Sequence, residues 1–452
     1  MPVSLFPDER QLGLITDLYE LTMAAGYHAH GLADQRASFE LWMRRVPKVR
    51  SYLVAAGLEQ VVHYLQHLSF SGEQIEYLRR HEAFQKVPAD WFERLRSFRF
   101  DGDLWAVPEG TIFFGGEPIL RVTGGLAQGQ IIETYLIAAL TVQTMVASKA
   151  ARVTLAAHGR GVVDFGSRRA HGPQAGLLAA RAAFIGGCVG TSNTEAARVL
   201  DIPALGTQAH AWIMAHGNEI EAFKSFGATF PAASTLLIDT YDTLQGARNA
   251  IASGAPMQAV RLDSGDLLQL SKQVRHILDA AGRHDVKIVA SGDLNEYKID
   301  KLLKDGAAID LFGVGTELVT SRDEPTLSTV YKLVEQDTPA GTLGRFKMSQ
   351  DKTTYPFAKQ VYRRHEQGKL AGDVIARVTE KQPGHPLLVK VMEAGQLIAP
   401  LPTLKEIQKH CRHELASLPA ELLDLEKQAA YPLHYSDELE RAVRAGEMGT
   451  AR

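Results

Sequence analysis

The chain of 452 residues is poor in cysteine: Cys188 and Cys411 stand alone, far apart, in no spacing that a metal site or a disulfide framework would use. A reducing compartment, the cytoplasm, is therefore the expectation. An excess of charge of one sign is also missing. Lys and Arg number 49 against 52 Asp and Glu, a formal net charge of −3, and 22% of residues are charged. That balance argues against a polycationic nucleic-acid binder and against a disordered solvating chain. Long apolar runs are absent too. The longest uncharged stretch in the apolar middle, Thr134 to Ser148, contains Gln143 and falls short of the roughly 20 residues that a helix needs to cross a bilayer. The opening MPVSLFPDERQ carries acidic residues where an export signal needs a basic segment followed by an apolar one. Neither a membrane nor a nucleic acid is an expected partner.

What the chain does have, from about Gly161 to Glu335, is one recurrent pattern: a short β-branched or apolar run, a few small polar residues, then a helix-like stretch. The runs are VVDFGS, CVGTSN, ALGTQAH, TLLIDTY, AVRLDSG, KIVASGD, LFGVGTE and STVYKLVE. Such alternation predicts parallel strands with helical crossovers, and near-continuous apolar strands suit a sheet covered on both faces. The expected fold class is α/β, an irregular (β/α)8-type barrel with a composite α+β domain; an open doubly wound sheet is the competing topology. Asp164, Arg168, Asn193, His210, Asp239, Asp263, Asp293 and Thr316 lie at or near the C-terminal ends of different runs, and in a barrel those ends converge on one face.

The flanks read differently. LITDLYELTMAAGYHAHG has helical spacing with Thr16 as the expected N-cap, LWAVPEGTIFF and EPILRVTG suggest an antiparallel hairpin, and residues 130 to 158 suggest a long helix. HPLLVKVMEAGQLIAP suggests a second hairpin, and the stretch from Leu404 is charged and helical. The expected division is 1–130, an N-terminal α+β portion; 131–335, the catalytic α/β barrel; and 336–452, a segment packing with the N-terminal portion. No internal repeat exists beyond the βα period.

Four segments carry chemistry. AVRLDSGDL sets Arg261, Asp263 and Asp266 at a strand end, where two carboxylates can bind the vicinal hydroxyls of a ribose or hold Mg2+, although Asp266 also suits a helix N-cap. SGDLN and FGVGTEL place Gly292, Asp293, Gly315 and Thr316 on consecutive late loops, where glycine lets backbone N–H groups approach a phosphate. DFGSRRAHG offers Phe165 to stack on a planar ring and Arg168 with Arg169 to neutralise an anion. GTQAHAW offers Thr207 and His210, the histidine being a base, a metal ligand, a phosphoacceptor or a satisfied core residue. A zinc site from His210, His216 and Glu219 matches no helical metal-binding spacing, and no residue is assigned to a metal.

Taken in order and spacing, DLYELTMAAGY, FELWMRRVP, DFGSRRAHG, GTSN, GTQAHAW, RLDSGD, SGDLNEYKI and FGVGTEL resemble the nicotinate phosphoribosyltransferases, from about residue 12 to 335, with a weaker echo in KMSQDKTTYP. The resemblance implies the type II phosphoribosyltransferase barrel beside an α+β domain, usually in a homodimer with shared active sites. It implies transfer of a phosphoribosyl group from 5-phosphoribosyl 1-diphosphate to nicotinate in NAD salvage, coupled to ATP hydrolysis and assisted by Mg2+. His210 is similar to the histidine that ATP phosphorylates, and Tyr19 to the aromatic lent by the neighbouring subunit to cover the pyridine ring opposite Phe165. Thr207, Arg168 and Arg261 resemble residues around nicotinate and the ribosyl phosphates, Asp263 the ribose-binding carboxylate, and Gly292, Gly315 and Thr316 the 5′-phosphate grip. Arg44, Arg45 and Lys149 are the basic residues considered for the diphosphate. The related nicotinamide enzyme has an aspartate where GTSN offers Ser192 and Asn193, which favours a carboxylate substrate. The competing functions are nicotinamide or quinolinate phosphoribosyltransferase and a non-catalytic nucleotide-binding sensor; a barrel hydrolase fits less well.

Overall fold

The computed structural model describes residues 8–347 and 354–449; positions 1–7 of the opening segment and 348–353 of KMSQDKTTYP lie outside these. The chain forms two compact units, one from Met1–Thr144, Thr326–Thr403 and His413–Arg452, the other from Met145–Pro325 and Leu404–Arg412.

The first unit is built on a seven-stranded antiparallel sheet in the order Gly341–Gly344, Thr329–Thr338, Arg36–Met43, Pro118–Gly125, Asp103–Ala106, Val389–Glu393, Gln396–Leu397. Its inner strand Arg36–Met43 is buried along most of its length, and Phe39 stacks on Tyr331 of the neighbouring strand at 5.1 Å and 5°. Both expected hairpins form. Asp103–Ala106 pairs with Pro118–Gly125, while the intervening Ile112–Phe113 leaves to pair with Leu53–Val54; Val389–Glu393 turns onto Gln396–Leu397. The cap of helix Leu18–Ala29 falls one residue later than expected: Asp17 takes the N-cap position, and the Thr16 hydroxyl donates instead to the Glu20 carboxylate at 2.5 Å.

The second unit holds a parallel sheet of β1 (Gly161–Asp164), β2 (Gly190–Thr191), β3 (Thr235–Leu237), β4 (Ala259–Leu262), β5 (Lys287–Ala290) and β6 (Leu311–Val314). The order is β2-β1-β6-β5-β4-β3. The last strand pairs with the first, Leu311 with Gly161 through Val314 with Asp164. The six strands make a parallel half-barrel sheet with β2 and β3 at its two edges. Two of the eight expected strands are not there. ALGTQAH contributes a single parallel bridge, Ala204 to Thr191, and STVYKLVE pairs antiparallel with Arg36–Met43 in the first unit. Its apolar alternation suits either sheet, so local pattern could not tell them apart.

Four of the six βα loops end in a side chain that starts a helix, while those after β1 and β6 reach their helices through Gly172 and Gly315. Asn193, Asp242, Asp266 and Asn295 accept from backbone N–H groups at the first turns of Thr194–Leu200, Thr243–Ala252, Leu267–Ala280 and Glu296–Lys304, caps worth about 1 kcal/mol each. Cys188 and Cys411 are buried and not joined by a disulfide. Among the described residues no helix is long and apolar enough to cross a membrane.

Candidate active site

The parallel register sets Val289 beside Arg261 and Ala290 beside Leu262, so Ser291 and Asp263 emerge together from the ends of β5 and β4. The Arg261 guanidinium is 11% exposed and spends its fork on three side chains: Nε donates to Ser291 Oγ at 2.8 Å, Nη1 to Thr207 Oγ1 at 2.6 Å and Nη2 to Asp263 Oδ1 at 2.8 Å. Ser291 Oγ donates to the same Asp263 oxygen at 2.5 Å. Burial alone would raise the Asp263 pKa, but the hydrogen bonds from Arg261 and Ser291 and the Arg261 charge outweigh it and hold the carboxyl below its ordinary value. The carboxylate stays ionised at neutral pH, with Oδ2 turned away from the arginine.

Oδ2 lies 3.8 Å from His210 Nε2, and His210 Nδ1 lies 3.2 Å from Thr240 Oγ1. The imidazole, 40% exposed, opens the short helix His210–Met214. Asp239 supports the loop from below: its Oδ2 accepts from the Asp263 backbone N–H at 2.9 Å and the Ser264 hydroxyl at 2.7 Å. The other Asp239 oxygen is buried without a hydrogen-bond partner among the described residues.

Around this network lies a cavity of about 270 Å3 walled by Phe165, Arg168, Arg169, Arg261, Asp263, Ser291, Gly292, Asp293, Leu294, Gly313, Gly315 and Thr316. Three guanidiniums face two carboxylates, and Arg168 and Arg169 have no ion-pair partner among the described residues, which suits an anionic ligand. Two of the glycines are steric requirements. Gly292 has φ +96°, and a Cβ there would lie 2.1 Å from the Asp263 carbonyl oxygen; at Gly313 it would lie 2.3 Å from the Phe165 ring. Asp293 follows in the left-handed region at φ +47°. The Phe165 ring has the Arg261 guanidinium 5.7 Å from its centroid.

The structure thus brings Phe165, Arg168, Arg261, Asp263, Gly292, Asp293, Gly315 and Thr316 to one cavity, with Thr207 and His210 joined to it through Arg261 and Asp263. Tyr19 stands in the first unit, on Leu18–Ala29, 47% exposed; burial of its hydroxyl and the charges of Glu133 and Glu20 raise its pKa. Two polar residues at strand ends, and Lys149 within the helix Glu133–Ala156, have their side chains taken by structural partners. Asp164 is buried, accepting from Gly166 N–H and Thr191 Oγ1. Asn193 donates to Ser167 and caps a helix, and Lys149 is buried against Glu296 at 2.6 Å and Asp323 at 2.9 Å. His216 donates to the Trp212 carbonyl and Glu219 accepts from Asn249; the ligand atoms of His210, His216 and Glu219 do not gather within 4.8 Å of one another. Ser291, Thr240 and Gly313 were not singled out by sequence reasoning; the strand register would have found Ser291, which sits opposite Asp263.

Three profiles match the chain: the nicotinate phosphoribosyltransferase N-terminal domain over residues 14–141, the family proper over 161–339 and the C-terminal domain over 384–443. The chain belongs to the nicotinate phosphoribosyltransferase family. It is 43% identical to nicotinate phosphoribosyltransferase pncB2 of Mycobacterium tuberculosis, covering 94% of this chain and 92% of the relative, and 37% identical to the Bacillus subtilis nicotinate phosphoribosyltransferase, covering 96% and 94%. The crystal structure of human nicotinic acid phosphoribosyltransferase superposes with a TM-score of 0.85 at 28% identity, covering 96% of this chain and all of that one.

Proposed function

We propose that this member of the family transfers the 5-phosphoribosyl group of 5-phosphoribosyl 1-diphosphate to nicotinate, forming nicotinate mononucleotide and diphosphate in NAD salvage, in a step coupled to ATP hydrolysis. The observation that carries the site assignment is the network in which Arg261, itself bonded to Thr207, and Ser291 hold Asp263 beside His210 at the edge of a cationic cavity. The C1–O bond to diphosphate breaks as the pyridine nitrogen forms the new C1–N bond with its own lone pair. No general base is needed; a cation-like sugar carbon needs a nearby carboxylate, and both partners need exact placement. Asp263 is assigned to the ribose, Phe165 to one face of the pyridine ring, and Arg168 with Arg261 to the nicotinate carboxylate and the phosphates. Gly292, Gly315 and Thr316 are assigned to the 5′-phosphate, and Asp293, which lines the same cavity, to substrate binding.

Mg2+ fits the hard oxygen donors present: Asp263 Oδ2, which no guanidinium occupies among the described residues, and the buried Asp239 Oδ1, which has no hydrogen-bond partner among them. When bound, it neutralises the charge of the leaving diphosphate. His210 is assigned as the phosphoacceptor: the γ-phosphoryl group of ATP passes to an imidazole nitrogen, ADP departs, and roughly two negative charges appear beside the sugar site. The proposal extends to a cytoplasmic homodimer in which the exposed Tyr19 ring serves the partner's site, and to an irregular (β/α)8-type barrel in which the 204–210 run stands between β2 and β3. Catalysis is assigned to 131–335, with 1–130 and 336–452 as the composite domain.

The test is diphosphate release from 5-phosphoribosyl 1-diphosphate with nicotinate, nicotinamide or quinolinate, with and without ATP. Turnover is expected with nicotinate and is stimulated by ATP; His210→Ala loses the stimulation and the acid-labile phosphate that labelled ATP leaves on the wild type. Preference for nicotinamide overturns the substrate assignment. ATP-stimulated turnover in His210→Ala overturns the phosphoacceptor.

A further inference from the structure

Three ligand-capable side chains converge on the surface of the first unit, apart in sequence from every residue assigned above. His63 and His67 are one turn apart on the helix Leu58–His67, so both rings project from one face. Glu9 opens the 3-10 turn Glu9–Leu14 and sets its Oε1 3.6 Å from His63 Nε2 and 3.9 Å from His67 Nε2. Ligand atoms from all three lie within 4.8 Å of one another, and the two rings are 4.2 Å apart at 33°.

Two features distinguish this cluster from a chance surface ion pair. His67 Nδ1 lies 2.8 Å from the His63 carbonyl oxygen. A carbonyl can only accept, so Nδ1 carries the proton and Nε2 of the neutral ring presents its lone pair toward Glu9. That N–H to carbonyl bond is the outer contact that orients metal-binding imidazoles. The second feature is spacing. The Nε2 to Oε1 separations are too long for hydrogen bonds, yet near the about 3.3–3.6 Å that separates ligand atoms in a tetrahedron of ~2.0–2.2 Å bonds. Two protonated rings in this contact repel each other, whereas one shared dication is attracted to the carboxylate and to both lone pairs.

We propose that Glu9, His63 and His67 form a site for a divalent transition-metal ion, Zn2+ by ligand chemistry, with water in the fourth position. Two imidazoles and one carboxylate suit Zn2+ over Mg2+ or Ca2+, which take oxygen donors. Occupied, the site clips the 3-10 turn to the helix across the intervening stretch of chain, and bound metal stabilises the folded protein by mass action.

The test titrates Zn2+ into metal-free full-length wild type and into His63→Ala, His67→Ala and Glu9→Gln, with Co2+ absorption as a readout of tetrahedral coordination. The side chains are 54%, 40% and 61% exposed, so the variants are expected to fold and to retain nicotinate-dependent diphosphate release. The wild type is expected to bind one equivalent that both histidine variants lack and that Glu9→Gln holds at least tenfold more weakly. Zn2+ is expected to raise the thermal midpoint of the wild type alone by on the order of a few °C. Equal Zn2+ stoichiometry and affinity in the wild type and both histidine variants overturns the proposal, since any Zn2+ then resides elsewhere.

Discussion

Arg363 in the first unit and Arg261 in the second each hold a carboxylate through a guanidinium, and the two are built for different ends. In the first unit Arg363 is 1% exposed and pairs with Asp373 at 2.6 Å, Glu414 at 3.3 Å and Glu117 at 3.7 Å. Its Nη1 also donates to the Ile112 carbonyl, and Tyr431, stacked on Phe114 at 3.6 Å, donates to Asp373. Fixed partners surround this guanidinium. In the second unit Arg261 uses the same fork, but its carboxylate partner Asp263 is 29% exposed and faces a cavity with one oxygen turned from the arginine. The difference teaches that a strong Arg–carboxylate pair by itself says nothing of function. What marks a site is an ionised group held firmly on one side with bonding capacity left on the other.

The comparison breaks first, and by the largest amount, at Arg363. Arg363→Ala is expected to cost about 3–5 kcal/mol of stability, because Asp373 remains buried without its cation; chemical denaturation of the full-length protein measures it. Arg261→Ala is expected to lower kcat/KM by ~10²–10³ while moving the denaturation midpoint much less. A stability loss equal to that of Arg363→Ala would abolish the distinction drawn here. Gly292→Ala is a finer probe. Its Cβ collides with the Asp263 carbonyl at a positive φ, so a cost of about 1–3 kcal/mol should displace Asp263 and lower turnover by about tenfold or more, with nicotinate and donor titrations separating binding from rate.

Glu117→Gln sharpens the closed end of the comparison and has the smallest effect. Burial, reinforced by the charge of Asp373, raises the Glu117 pKa well above its usual value despite Arg363. The folded state then keeps a proton that the unfolded chain releases above about pH 4.3. Stability from this carboxyl is therefore full below that pH and is lost as pH rises through the raised folded value. Glu117→Gln should change stability by less than about 1 kcal/mol near pH 5 and flatten its decline toward pH 8, read from thermal midpoints across that range.

The loops that carry the chemistry were legible because their signals are local. DFGSRR, RLDSGD, SGDLN and FGVGTE each end an apolar run with residues whose types already limit what they can bind, and the cavity is walled from these same loops. Pairing was less legible. STVYKLVE looks like a barrel strand by composition, and only the partner strand Arg36–Met43 decides otherwise. Asp164 and Asn193 occupy strand ends as Asp263 does, yet their side chains are consumed by Gly166, Thr191, Ser167 and a helix N-terminus. Lys149 looks like a phosphate ligand until Glu296 and Asp323 enclose it.

By itself the sequence determined the alternation of strand and helix in the second unit, the glycine and carboxylate chemistry of its loops, and the family to which the chain belongs. These depend on residue type and short spacing, which folding does not alter. The tertiary structure alone decided which polar groups keep free valence, which strand joined which sheet, and that Ser291 would share Asp263 with Arg261. Those outcomes depend on contacts between residues distant in the chain, and a hydrogen bond or ion pair satisfied by such a partner leaves no mark in the local pattern.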